Sequence, residues 1–98
     1  MDLFEEVKLS LDYEDIDEFT QRKINQFISK GKQHLRLRAP DLNDSDFEDV
    51  YNHAHSLLLD YCRYANSNAT EDFDKNYRGE LLSLRQDYEV RAFEQKNE

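Results

Sequence analysis

An all-α fold, a small helical bundle, is predicted for this 98-residue chain on three observations. Apolar residues recur at spacings of three and four, which aligns them on helix faces; two-fold alternation is missing. Glycine and proline number only two and one, too few for a fold built on tight turns. Hydrophobic residues make up 38% and charged residues 36%, enough for one small core and a densely charged surface. Three main helices are expected at about 2–11, 15–38 and 46–65, then a short helical turn and a C-terminal helix at about 80–95. Residues 1–65 would form the bundle core, and 66–98 a helical extension of the same single domain.

The first helix, DLFEEVKLSL, can be capped by Asp2 and places Leu3, Phe4, Val7 and Leu11 on one face. At under three turns it must dock to persist. Residues 12–15 form a turn. Asp15 and Glu18 then supply a D-x-x-E variant of the capping box for the second helix. Ile16, Phe19, Ile24, Phe27, Ile28 and Leu35 give its buried side. Gly31 lies on that side, where it costs about 0.5–1 kcal/mol against alanine, and a close helix crossing would offset the loss. The helix should stop before Pro40, which drives its predecessor out of the helical region.

The strongest signal is DFEDVYNHAHSLLLDYCRYA, residues 46–65. Phe47, Val50, Tyr51, Ala54, Leu57, Leu58, Tyr61, Cys62 and Ala65 form one stripe, and Ser45 with Glu48 reads as an S-x-x-E capping box. This helix is expected to be the pillar on which the others pack. Thr70 can cap a short turn carrying Phe73 and Tyr77 at i,i+4, and Gly79 can stop or kink the chain. In the last helix Leu81, Leu84, Tyr88 and Ala92 share a face, with Leu82 and Phe93 off it. That spread exceeds what one small molecule needs, so a partner is expected to cover part of it.

The formal net charge is −9, which disfavours DNA coating. The charge is uneven. Residues 1–18 hold eight acids and one base, Lys8, whereas 22–38 hold Arg22, Lys23, Lys30, Lys32, Arg36 and Arg38 and no acid. These six bases are candidate subunit or partner contacts. So are Leu82 and Phe93, and also Tyr64 and Tyr88, because tyrosine is enriched at protein interfaces. Solvated helix faces are the plain alternative for the charge runs.

No catalytic or cofactor motif stands out. His53 and His55, two apart, diverge on a helix and cannot share a metal, although Asp49 and His53 could pair at the surface. His34 lies in a basic stretch, a poor metal environment. C-x-x-C, H-E-x-x-H, a glycine-rich phosphate loop and G-x-S-x-G are all missing. Cys62 falls on the apolar stripe and is expected to be a buried, inert thiol. The expectation is therefore a non-enzyme that needs no metal or cofactor. Neither a signal-peptide pattern nor a transmembrane-length apolar run is seen, so a soluble cytoplasmic product without membrane contact is expected.

Residues 57–84, LLLDYCRYANSNATEDFDKNYRGELLSL, resemble the small head–tail connector, or head-completion adaptor, proteins of long-tailed bacteriophages. The likeness rests on Leu57–Leu59, Cys62-Arg63-Tyr64, Asn68-Ala69, Glu71-Asp72-Phe73, Asn76-Tyr77 and Glu80-Leu81-Leu82-Ser83-Leu84. The first helix, the acidic turn and the second helix are similar to that family in layout. The resemblance implies a ring, usually of twelve subunits, beneath the portal protein at the capsid vertex of the virion. Such a ring extends the DNA channel without specific DNA binding and carries the next head-completion protein or the tail. Two other readings fit the composition: an acidic inhibitor or DNA mimic that occupies a nucleic-acid-binding protein, and a helical regulator that binds one partner helix. The basic run at 22–38 counts against the mimic, which needs unbroken negative surface.

Overall fold

Six α-helices run through the computed structural model, whose described residues are 2–96: α1 (Leu3–Ser10), α2 (Glu18–Arg36), α3 (Asp44–Glu48), α4 (His53–Asn66), α5 (Thr70–Asn76) and α6 (Arg78–Lys96). No strand forms among them, so the all-α bundle is as expected. Asp2 caps α1 by accepting the Glu5 N–H at 2.8 Å. Asp12 follows in the left-handed region (φ 64°), a conformation aspartate tolerates. Tyr13 then ties the turn to the far end of α4 by donating to Asn66 Oδ1 at 3.2 Å. The second helix starts later than Asp15. Asp17 is its cap, accepting the Thr20 N–H at 2.7 Å, a bond that holds the Asp17 carboxyl below its ordinary value.

Helices α2 and α4 form the main packing pair. Ile24, Ile28, Gly31 and Leu35 face Ala54, Leu57, Leu58, Tyr61 and Cys62, all buried. The crossing point is Gly31. A β-carbon there would lie 2.5 Å from Leu58 Cδ1 and 2.9 Å from Tyr61 Cδ1, so the approach depends on a missing side chain. Cys62 lies fully buried in this layer, and burial pushes its thiol up to about 12.

The expected 46–65 helix is broken. It divides into α3 and α4 because local side chains offer the backbone better partners. Asn43, not Ser45, caps α3: its Oδ1 accepts the Asp46 N–H, and the Asp46 carboxylate accepts the Asn43 N–H, both at 3.0 Å. Asp49 leaves the helical region (ψ 110°) and accepts the Tyr51 N–H, and Asn52 restarts the helix by accepting the Ala54 N–H. Phe47 and Ala54 thereby both turn inward, while Val50 and Tyr51 are expelled, with Tyr51 95% exposed. The Asp49–His53 pair is not formed among the described residues.

His55 sits buried beneath this break. Its Nδ1 lies 2.6 Å from the Phe47 carbonyl oxygen and its Nε2 2.5 Å from Glu6 Oε2. One imidazole thus joins α1, α3 and α4, a link the helical wheel alone does not reveal.

The C-terminal third shares the core rather than lying outside it. Phe73 is fully buried, stacked on Tyr77 at 4.7 Å and met edge-on by Tyr61 at 5.3 Å. Ala69 precedes α5 without a side-chain cap, and Thr70 is already helical. The division between α5 and α6 falls at Tyr77. Gly79 lies inside the first turn of α6 with open space around it. Leu81, Leu84 and Tyr88 are buried, but from Glu89 to Gln95 only Ala92 is partly covered.

Candidate interaction surface

Three of the exposed large apolar side chains share one face of α6. Leu82, Val90 and Phe93 are 51%, 55% and 68% exposed. At about 100° per residue they fall within an arc of about 80°, on the side away from Leu84 and Tyr88. The stripe from Leu82 to Phe93 is about 16 Å long. Phe19 and Leu37, at 75% and 70%, are further exposed apolar groups on or beside α2. Phe19 was expected on the buried side; the late start of α2 leaves it in the free first turn.

The basic run of α2 is not the open cationic face that spacing suggested. Lys32 and Arg36 both reach Asp44 of α3, at 3.1 and 3.2 Å, and Arg36 Nε also donates to the Leu42 carbonyl oxygen. Both lie over the Phe47 ring. These contacts hold the Asp44 carboxyl below its ordinary range, Lys32 contributing most. Arg38 reaches Asp74 of α5 at 3.4 Å, and the same carboxylate takes His34 Nε2 at 2.5 Å. His34 therefore sits against an acid and the Tyr61 and Phe73 rings, not in a purely basic setting. Arg22 pairs with Glu18 one turn back, and Lys23 lies over the Phe27 ring. Lys30 is exposed and makes no ion pair among the described residues.

Of the two tyrosines expected as contacts, Tyr88 is buried and Tyr64 is half-covered. Tyr88 is 7% exposed and its hydroxyl accepts from Asn52 Nδ2 at 3.0 Å, so it is core. Tyr64 is half-buried in the aromatic cluster around Phe73, its hydroxyl accepting from Asn76 Nδ2.

A groove that spacing did not disclose opens where the end of α2 meets α5 and α6. It has a volume of about 520 Å³, cationic walls from Arg38, Lys75, Arg78 and Arg85, and an apolar floor at Leu81 and Leu82. Glu71 and Asp74 edge it on the α5 side. Arg85 is paired with Glu89, whereas Lys75 and Arg78 have no ion-pair partner among the described residues. These bases are scattered between acids in the sequence, and only the packing of three elements brings them together. Among the described residues no group of three or more His, Cys, Asp or Glu side chains converges as a metal site would require, and no helix is long and apolar enough to cross a membrane. Comparisons with protein-family models, curated proteins and solved structures give no match.

Proposed function

We infer that the chain is a non-catalytic structural subunit of a phage head–tail connector. It assembles with copies of itself into a ring docked below the portal protein and serves as the platform for the next head-completion protein or the tail. The observation that carries this reading is the exposed apolar stripe of α6, Leu82, Val90 and Phe93. The core is closed without Leu82, Val90 and Phe93, so those groups favour a surface that another chain covers. The resemblance of residues 57–84 to connector proteins favours a second copy of this chain or a portal protein as that cover. A net charge of −9 suits a channel wall that DNA slides past without adhering.

One observation favours the second reading, an acidic DNA mimic. Lys32, Arg36 and Arg38 are neutralised by Asp44 and Asp74, which weakens the objection drawn from a basic run. Co-sedimentation separates the two. A connector subunit pellets with purified portal rings and leaves DNA–protein complexes untouched. A chain that ignores portal rings and displaces DNA from a nucleic-acid-binding protein is a mimic.

A further inference from the structure

We propose that the groove between the end of α2, α5 and α6 receives the acidic connector, residues 12–17, together with Phe19 in the first turn of α2, of a second copy of this chain. The two surfaces match in charge and in apolar content. The groove gathers four cations against two acids, Glu71 and Asp74, beside Leu82, a net positive lining in a protein whose net charge is −9. Two of them, Lys75 and Arg78, lack an internal partner among the described residues. The connector presents Asp12, Glu14 and Asp15, all exposed and likewise without an ion-pair partner there. Four residues beyond Asp15 comes Phe19, 75% exposed, a suitable anchor for the Leu81–Leu82 floor. A volume of about 520 Å³ lies in the range of sites that enclose a few side chains.

Position decides between a self-contact and a contact with another copy. The connector precedes α2, and the groove lies beyond its other end. Nineteen helical residues separate them by about 27 Å along the axis, so one molecule cannot close the contact on itself. Two different surfaces meet. Each added copy therefore leaves one connector and one groove free, the heterologous arrangement that generates rings or open filaments. The occupant's identity rests on the ring-subunit reading; the groove and its charge do not.

The test is a complementary charge swap, read by sedimentation equilibrium after circular dichroism has confirmed folding. One variant carries Lys75→Glu and Arg78→Glu, the other Glu14→Lys and Asp15→Lys. All four positions are exposed. At about 10 mM salt, where charges act over about 30 Å, the unaltered protein should associate with a Kd of about 1 mM or tighter. Each variant alone should associate at least about 10-fold more weakly, and association should fade at about 1 M salt. An equimolar mixture of the two variants should regain the affinity of the unaltered protein, because each acidic groove then meets a basic connector. Phe19→Ser should also weaken association.

A strict monomer at about 1 mM protein, a variant that associates unchanged, or a mixture no stronger than its parts overturns the proposal. Binding of a short DNA duplex at Lys75 and Arg78 without self-association assigns the groove to phosphate and also overturns it. Pelleting with portal rings is scored separately. A monomer retained by portal rings sinks the groove contact and leaves the ring-subunit reading standing. A chain that self-associates through the groove yet ignores portal rings does the reverse.

Discussion

Replacing Gly31 with alanine would set a methyl carbon 2.5 Å from Leu58 Cδ1 and 2.9 Å from Tyr61 Cδ1. Two effects oppose each other. Alanine is the better helix former by about 1 kcal/mol at an interior position. Overpacking a filled interior costs about 1–3 kcal/mol. Leu58 is fully buried, and the Tyr61 ring is wedged between His34 and Phe73, so neither neighbour has free space to enter. The clash should win, giving a net destabilisation of about 1 kcal/mol and a Tm lower by about 4–8 °C. Urea unfolding followed by far-UV circular dichroism measures it, and a double-mutant cycle assigns the cause. Leu58→Ala alone should cost about 2–5 kcal/mol. In the Gly31→Ala background that cost should fall by about 1 kcal/mol, since the new methyl fills part of the cavity. If Gly31→Ala instead stabilises by the full propensity gain, and Leu58→Ala costs the same in both backgrounds, the close crossing of α2 and α4 is not what fixes glycine there.

Truncation after Ser83 removes two buried side chains, Leu84 and Tyr88, worth about 1.5–3 kcal/mol each, from a domain whose whole stability is of the order of 5–15 kcal/mol. It should lower the unfolding free energy by about 3–6 kcal/mol, whereas truncation after Glu89 should leave the urea midpoint within about 10% while weakening pelleting with portal rings. Cys62, with its thiol pushed up to about 12, should resist an aromatic disulfide reagent at neutral pH and react at once in denaturant; rapid labelling of the folded protein would contradict its burial. Asp44 has a folded-state pKa below its ordinary 3.8, so its pairing with Lys32 and Arg36 stabilises above that value and is lost as pH falls through the lowered one. Asp44→Asn should accordingly flatten the acid limb of the stability curve below about pH 4 and should leave the response between pH 6 and 8 unchanged, measured by urea titration at each pH.

Much of the bundle was legible because helix faces follow directly from residue spacing. Leu3 and Val7, then Ile24, Ile28 and Leu35, then Leu57, Leu58, Tyr61 and Cys62, all lie where periodicity puts them. Gly31 was legible for the same reason: a glycine on an apolar face needs a neighbour close by. The break at 49–52 was not, since Val50 and Tyr51 continue the apolar spacing. The competing signal was present in Asn43, Asp49 and Asn52, whose side chains each capture a backbone N–H and end or restart a helix. Charge was the least legible property. Six bases without an intervening acid read as an open face, yet Asp44, just past the run, and Asp74, distant in sequence, fold onto three of them. Conversely, Lys75, Arg78 and Arg85 are interleaved with acids in the chain, and folding gathers them with Arg38 into one groove that Glu71 and Asp74 also line. Tyr88 is two turns from Leu81 on the inward face and was better read as core than as contact.

Whether copies of this chain close into a ring on a portal is decided by native mass measurement of purified portal rings saturated with the protein. One discrete complex is expected, with a fixed whole number of copies matched to the portal's rotational symmetry. A mass equal to that of the portal alone, or a continuous spread of loadings with no preferred number, would contradict it.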